Sequence, residues 1–490
     1  MKRRNFIKNS AISAGLALSL PSYSNVLGSN EQINVAIIGL GSNVKIGGKG
    51  KGDMKHYMQI PGVNVAAICD CDEGILREEE QKLKNAGKKV KTYKDFRDVL
   101  DDKDIDAVHV TTPNHSHALI TIMACQAGKH VYCQKPASHN IFEGRKMVEA
   151  ARKYKRIVQV PHNPREPNGC KEAFEWARAG NLGKIKYVHG INYKPRRTIE
   201  KVSAPIPVPK TIDYNLWAGP APMSPINRKY FHYDWHWMWE TGNGDLGNMG
   251  IHYMDGCRMA LDTKKLPRNV MSLGGRFGYE DDGQTPNTQI IYFDYEEAPV
   301  IFEVRGLPAY ASFRKRNWQS ANRISMDTHM GVKLGVIVYC EDGFIANNIA
   351  YNHNGKEIKT FHSTFEGTMG NYIQAIREND PGVLIADIED GHLSSALVHM
   401  GNTSYQMGKK SRSEEIYEKI EGISCLNESF DRFRNHLFAN RIDWNNEDII
   451  LGPMLSFDSN NEKYVGEFSE EANGYLSRNY RKPFVVREIV

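Results

Sequence analysis

The 490-residue sequence predicts an α/β protein in two parts. An N-terminal, doubly wound parallel sheet is followed by an α+β domain on a large, mostly antiparallel open sheet. Three observations predict this. Short β-branched apolar runs alternate with amphipathic helical stretches over residues 33–160, the rhythm of β-α-β units. The first run ends in Gly39-Leu40-Gly41, the strand-then-glycine opening of a dinucleotide-binding Rossmann fold. Beyond Pro161, longer strands follow one another with few helices between them, which favours antiparallel pairing.

Composition narrows the partners. The formal net charge of +5 is small for this length and the lysines are scattered, so no basic stripe marks a nucleic-acid surface. After the N-terminus no run of about 20 apolar residues occurs, so no membrane span is expected in the mature chain. Residues 1–29 read as an export signal. Met1-Lys2-Arg3-Arg4-Asn5-Phe6-Ile7-Lys8 precedes a weakly apolar run over residues 11–20. That is the pattern of a twin-arginine signal, with an ordinary secretory signal or a membrane tether as the alternative. A periplasmic protein is expected. The eight cysteines are dispersed and suit neither a zinc site nor a disulfide scaffold, so buried, reduced thiols are expected.

The first domain is assigned to residues 30–161. A strand over 33–38 leads into the glycine loop. The third glycine of G-x-G-x-x-G is replaced by Val44, and the loop runs on through Gly47-Gly48-Lys49-Gly50-Lys51-Gly52 to a helix over 53–59. Either the phosphate loop is enlarged, or Gly50 or Gly52 does the work of the third glycine. The second strand, 63–69, ends at Asp70, where a carboxylate can take the adenosine ribose hydroxyls and favour NAD over NADP. Asp72 stands close enough to do the same, or to cap the helix over 73–86. Lys45, Lys49 and Lys51 keep NADP open. A helix over 93–100 and a strand over 107–111 follow, then the loop Thr112-Pro113-Asn114-His115 at the carboxyl edge of the sheet, where ligands lie. After a helix over 115–127, the strand 130–133 ends in Gln134-Lys135-Pro136 at that same edge. A helix over 141–154 and a strand over 157–160 close the domain.

The second domain takes residues 162–490. Helices are expected over 171–179, 368–378 and 391–409, and strands over 185–193, 269–274, 288–294, 300–304 and 335–340. Residues 440–490 read as a polar, irregular tail. Residues 230–255 carry the densest chemistry. Tyr230, Trp235 and Trp237 are interleaved with His232, Asp234 and His236, and a glycine-rich turn follows. Asn248, His252 and Asp255 are then spaced to share one helix face. An aromatic wall beside a polar helix face suits a sugar-like ligand, whose C–H faces stack on rings while its hydroxyls take hydrogen bonds. If the aromatic stretch is a strand, the tryptophans share one face as a core strand would. His232, Asp234 and His236 would share a face in the same way, but with no further cluster nearby no metal site is assigned.

In order and spacing, several pieces resemble the Gfo/Idh/MocA (glucose–fructose oxidoreductase / inositol dehydrogenase) family, in an exported, twin-arginine-signal subgroup. They are Gly39-Leu40-Gly41, Thr112-Pro113-Asn114-His115-x-His117, Lys135-Pro136, Leu216-Trp217-Ala218-Gly219-Pro220, Gly250-Ile251-His252-x-x-Asp255 and the closing Tyr480-Arg481-Lys482-Pro483-Phe484. The resemblance implies a Rossmann domain for NAD(P), a second domain with an open sheet, and a homo-oligomer. It makes Lys135 the lysine of the family's E-K-P motif and His252 its catalytic histidine. Two positions depart from the pattern. Gln134 replaces the glutamate, and Asn248 stands where many members carry an aspartate one turn before the histidine. Both changes remove a carboxylate, so His252 is expected to stay neutral.

The expected chemistry is hydride transfer between a carbinol carbon and nicotinamide. His252 is assigned as general base, Lys135 as the donor to the same oxygen, and Asn248 as the residue that positions His252 or a second hydroxyl. Gly39, Leu40, Gly41, Asp70, Thr112, Pro113, Asn114, His115, Gln134 and Lys135 are assigned to the cofactor. Trp217, Tyr230, His232, Trp235, Trp237 and Asp255 are assigned to the substrate. A protein working outside the cytoplasm meets no free NAD(H) pool, so a tightly bound cofactor is expected. The function expected is an NAD(P)-dependent oxidoreductase acting on a sugar, glycoside or cyclitol hydroxyl. A redox-assisted glycosidase or lyase with no net redox change, or a non-catalytic sugar-binding module, are the alternatives.

Overall fold

The computed structural model describes residues 32–42, 46–314, 326–363, 365, 367–443 and 449–489. The expected export signal and Lys45 lie outside these residues.

The first domain runs β1 (Ile33–Ile38), α1 (Lys49–Tyr57), β2 (Val63–Cys69), α2 (Glu73–Asn85), β3 (Lys91–Tyr93), α3 (Phe96–Asp101), β4 (Ala107–Val110), α4 (His117–Gln126), β5 (His130–Cys133), α5 (Ile141–Lys153) and β6 (Val158–Gln159). Its six strands pair in the order β3-β2-β1-β4-β5-β6, and every pairing is parallel. Helices cover both faces, so the central strands are apolar along their length rather than alternating. Side-chain caps set several helix starts: Asp72 on α2, Asp95 on α3 and Asn140 on α5. Strand order reverses between β1 and β4, and the crevice for a ligand opens at that point. Two expectations shift. Residues 91–93 form an edge strand before a shorter helix, and α1 starts at Lys49, four residues earlier than read.

The second domain adds α6 (Cys170–Arg178), β7 (Ile185–Tyr193), α7 (Tyr214–Ala218), α8 (Ile251–Leu261), β8 (Asn269–Gly275), β9 (Thr288–Asp294), β10 (Val300–Arg305) and β11 (Leu334–Cys340). Three short strands, β12 (Gly343–Ala346), β13 (Ile349–Asn352) and β14 (Glu357–Thr360), extend one edge. Then come α9 (Thr368–Glu378), α10 (Ile388–Gln406), β15 (Lys409–Ser411), α11 (Ser413–Ile420), α12 (Ser424–Ala439), β16 (Ile449–Leu451), β17 (Leu455–Asp458), β18 (Lys463–Val465) and α13 (Ser469–Asn473). The large sheet is antiparallel except where β7 pairs in parallel with β10. One face packs Val188, Phe293, Phe302 and Val336 against Met254 and Cys257 of α8 and Leu397 and Met400 of α10. The other packs Met271, Ile290 and Ile301 against Ile416 of α11 and Phe430 and Phe433 of α12.

The C-terminal region is not an irregular tail. It forms β16, β17, β18 and α13, and then returns to the first domain, where Phe484 and Val486 are buried with Val108 and Val110. α9 returns too, burying Met369, Tyr372 and Ile373 with Ile37 and Tyr132. An arm between β7 and α8 reaches back over the β2 edge. Glu73 N–H donates to Thr211 O and Asp213 N–H to Cys71 O, each at 2.9 Å. The two domains are thus stitched together at three places around the crevice.

Candidate active site

A single cleft of about 870 Å³ runs along the carboxyl edge of the parallel sheet. Gly39, Gly41, Asp70, Cys71 and Phe96 line one end; Lys135, His162, Asn163, Glu166, His252 and Thr368 line the other.

At the first end the glycine question has a steric answer. A Cβ on Gly50 would lie 2.0 Å from Gly39 O and 2.7 Å from Thr111 Oγ1, whereas one on Gly52 would meet nothing within 4 Å. Gly50 therefore does the close helix–strand packing of a third glycine. Gly39 adopts φ +92° and sits against the Thr111–Thr112 backbone, a conformation L side chains rarely take. Asp70 lines the cleft. Its carboxylate accepts from Leu40 N–H at 2.8 Å and Asp72 N–H at 2.9 Å, so it also braces the loop. Asp72 caps α2 and lies 2.9 Å from His232 Nε2, and that imidazole helps hold its carboxyl down to about 2. Lys49 pairs with Asp53 at 2.7 Å, and Lys51 with Glu79 at 3.3 Å.

At the other end Lys135 projects from the end of β5, and its Nζ donates to the Asn248 backbone carbonyl. Burial, then Lys194 and Arg196, push the amine down to about 7, with Asp245 working the other way. His252 stands at the start of α8, just after a widened π-type turn over Leu246–Gly250. Such turns recur at functional sites. Burial above all, then its neighbour Lys135, push the His252 imidazole well below the usual histidine range. Its Nδ1 accepts the Asn163 backbone N–H at 3.1 Å. His162 meets His252 edge-on at 6.0 Å between ring centroids, and both its nitrogens are buried without a hydrogen-bond partner.

One carboxylate reaches the cleft wall beside Gln134. Gln134 Nε2 donates to Asp53 Oδ2 at 2.8 Å, and the same oxygen lies 3.0 Å from His109 Nε2. α1 thus brings a carboxylate to the cleft wall beside the position where glutamate is absent. Asp245, fully buried, pairs with Arg196 and accepts from Asn192 at 3.1 Å. Asn248 contributes its carbonyl to Lys135, and its residue lines the cleft.

Thr112, Pro113, Asn114, Gln134, Trp217, His232 and Trp235 also line the cleft. The aromatic stretch is a short 3₁₀ turn over Asp234–Trp237, not a strand, and its first half lies at the nucleotide end. The His232 carbonyl sits 3.3 Å from where a Cβ on Gly47 would be, and Trp235 Nε1 donates to that carbonyl at 3.2 Å. His232 and Trp235 therefore wall the glycine loop rather than a separate sugar pocket.

Five assigned residues lie off the cleft. Asp255 is fully buried in an ion network, where Arg165 donates to both its oxygens at 2.8 and 3.1 Å; the π-type turn rotates the helix so that Asn248 and His252 face the cleft and Asp255 does not. Trp237 is 2% exposed beneath Arg276. Tyr230 is 39% exposed and stacks on Arg197. His115 is buried, with Nδ1 3.2 Å from Thr241 O and Nε2 2.9 Å from Trp217 O, so it ties the loop after β4 to the arm. Leu40 packs in the core, and its N–H is already taken by Asp70.

Asp53, His162, Asn163, Glu166 and Thr368 were not foreseen. His162, Asn163 and Glu166 follow β6 at the carboxyl edge, so the rule that marked Thr112 and Lys135 also marks them. Thr368 donates its hydroxyl to Glu166 Oε1 at 2.5 Å across 202 positions of sequence, a contact with no local signal.

Two family models match this chain. One, described as an oxidoreductase family with an NAD-binding Rossmann fold, covers residues 33–162; the other, its C-terminal alpha/beta domain, covers 180–295. Together they take in half of the chain. It belongs to the Gfo/Idh/MocA oxidoreductase family. Among curated relatives, an inositol 2-dehydrogenase from Salmonella typhimurium is 28% identical over 158 residues, covering 32% of this chain and 46% of that protein. A levoglucosan dehydrogenase from Pseudarthrobacter phenanthrenivorans is 35% identical over 181 residues, covering 36% and 38%. A glycosyl hydrolase family 109 protein from Shewanella pealeana is 25% identical over 232 residues, covering 42% and 50%. The chain thus spans half the length or less of these relatives. The WlbA dehydrogenase from Bordetella pertussis, solved with NADH and UDP-GlcNAcA, shares the fold at TM-score 0.53 and 17% identity, covering 75% of this chain and 93% of that one. An aldose-aldose oxidoreductase from Caulobacter crescentus does so at TM-score 0.52 and 17% identity, covering 76% and 97%.

The residues present fit a nicotinamide dinucleotide. Gly50 leaves the close approach open, Asp70 ends β2 at the cleft, and two polar atoms of cleft-lining residues, Thr112 Oγ1 and Asn114 Oδ1, are buried without partners.

Proposed function

We propose that this protein oxidises or reduces a carbinol carbon of a sugar, glycoside or cyclitol, using a nicotinamide cofactor that it retains. The observation that carries the reading is one cleft with a dinucleotide edge at one end and the Lys135–His252 pair at the other. When bound, the cofactor supplies or accepts the hydride. Lys135 and His252 hold the reacting oxygen and account for its proton. The cleft wall beside them, from His162, Asn163, Glu166 and Thr368, offers donors and acceptors to neighbouring hydroxyls. The names of the inositol and levoglucosan dehydrogenase relatives support a polyol substrate.

NAD is favoured over NADP. Around the end of β2 stand Asp70, Asp72, Glu73 and Asp213, and nearby Lys94 already pairs with Glu73 at 3.1 Å and Asp213 at 3.6 Å. A 2′-phosphate would meet repulsion there. The arm over the β2 edge and His232 over the glycine loop support retention, and the signal-like N-terminus supports a periplasmic site of action. The redox-neutral glycosidase is the second reading, favoured by the similarity to a glycosyl hydrolase family 109 protein.

The test is to denature the purified protein and identify any nicotinamide released, by mass and absorbance. A panel of sugars, cyclitols and glycosides is then offered to the intact protein. Bound NAD that becomes reduced on mixing supports the oxidoreductase. Aglycone release without net absorbance change selects the glycosidase. Protein that neither carries nor binds nicotinamide refutes both.

A further inference from the structure

The position of the Asn163 amide decides what His252 can do. A backbone N–H always donates, so the nitrogen it faces must be unprotonated. Facing that N–H, His252 Nδ1 carries no hydrogen, and the single hydrogen of the neutral ring sits on Nε2. Protonating the ring would set an Nδ1–H against the Asn163 N–H. His252 lines the cleft, and its Nε2 has no hydrogen-bond partner among the described residues. The ring therefore presents a donor to the cleft and has no lone pair there with which to accept a proton.

The amide is held firmly. Asn163 opens a 3₁₀ turn (Asn163–Arg165) in which Glu166 N–H donates to Asn163 O at 3.0 Å, and Asn168 Nδ2 donates to the same oxygen at 2.7 Å. Arg165 of that turn donates to both carboxylate oxygens of Asp255, three residues beyond His252 on α8. Ser394 donates to Asp255 Oδ1 at 2.9 Å. The imidazole and the amide that sets its tautomer are thus clamped to each other by a buried ion pair.

We infer that His252 is a fixed hydrogen-bond donor to the substrate oxygen, with its tautomer set by the Asn163 amide, and that Lys135 is the group that exchanges the proton. The inference rests on the hydride-transfer reading and reverses the roles expected from sequence. In the oxidative direction nicotinamide, when bound, would take the carbinol hydride. The hydroxyl proton passes to the Lys135 amine, which becomes ammonium. The oxygen, now a carbonyl, keeps the hydrogen bond from His252 Nε2. The reverse reaction returns the proton from Lys135. The groups that face Lys135 are the cations Lys194, Arg196 and Lys49, the carboxylate Asp245, and the imidazoles of His117, His162, His236 and His252. The excess of positive charge favours a neutral amine at rest, as a base requires. Arg165 and Asp255 act through His252 as positioning residues.

The first test is ¹⁵N NMR of histidine-labelled protein without added cofactor, with the His252 signals assigned by their loss in His252→Gln. The expected result is an Nε2-protonated neutral ring that does not titrate through neutral pH. An Nδ1-protonated ring, or one that titrates near neutrality, overturns the inference. In Asp255→Asn the second tautomer should appear; a spectrum unchanged from the parent overturns the positioning role. The second test is kinetic. Glutamine keeps a donor near the Nε2 position, so His252→Gln should lose about tenfold in turnover and His252→Ala about 100-fold, the scale of one lost donor. Equal losses in the two variants contradict the donor role. Lys135→Ala should lose about 1,000-fold, within the general-base range, and added primary amines should restore part of it in order of their basicity. No rescue by amines contradicts the base role. A wild-type protein that takes up no nicotinamide defeats the hydride reading and leaves the NMR result standing, so the two failures are distinguishable.

Discussion

At the nucleotide end of the cleft the fit comes from backbone and absence: Gly39, Gly41 and Gly50 leave room, and Asp70 supplies a carboxylate at the end of a buried strand. At the opposite end the fit comes from charged and polar side chains held in place by others. Lys135 comes from the turn after β5, His252 from α8, Glu166 from the loop after β6 and Thr368 from α9, and none is adjacent to another in sequence. Lys135 and His252 are each oriented by a backbone group, and Thr368 by the Glu166 and Tyr132 side chains. The contrast teaches that the first end tolerates no added atoms, whereas the second tolerates no lost ones.

Four changes break or sharpen that contrast. Lys135→Met removes the amine and keeps most of its volume, so turnover should fall by about 1,000-fold while nicotinamide affinity stays within about threefold, measured by steady-state kinetics and fluorescence titration. Gly50→Ala does the opposite. Its Cβ would overlap the Gly39 carbonyl, and the overpacking should cost about 1–3 kcal/mol in thermal unfolding and release retained nicotinamide. Oxidative turnover should climb about tenfold per pH unit up to about 7 and then level, because the Lys135 amine, brought down to about 7 by burial, Lys194 and Arg196, must be unprotonated to act as base. Reductive turnover needs the ammonium, so it should stay level up to about pH 7 and fall about tenfold per unit above it. A profile flat through neutrality contradicts the lysine as base. Tyr230→Ala, at an exposed ring off the cleft, should change neither turnover nor unfolding by more than about 0.5 kcal/mol.

The same contrast explains what was legible in the sequence. β1, β2 and β5 are buried on both faces, so their apolar runs stand out and their ends mark Gly39, Asp70 and Lys135 directly. The two-domain plan followed from the change of rhythm after Pro161. The second end of the cleft was harder, because its residues are joined by contacts such as Glu166–Thr368 that leave no periodic trace. Residue spacing places Asp255 on the cleft face only for a regular helix, and the π-type turn over Leu246–Gly250 shifts that face. Trp237 was misplaced because a tryptophan beside histidines looks the same in a core as in a binding wall. The region after Asn440 hides its structure because its apolar residues enter two different cores, Phe457 and Tyr464 one and Phe484 and Val486 another, with no repeat to read.

The most direct measurement is stopped-flow absorbance of Lys135→Met protein loaded with nicotinamide and mixed with a sugar or cyclitol that reduces the wild-type protein. The account predicts that the variant binds the cofactor as the wild type does and that the absorbance stays flat on the wild-type timescale. Reduction at the wild-type rate, or loss of cofactor binding together with turnover, would contradict it.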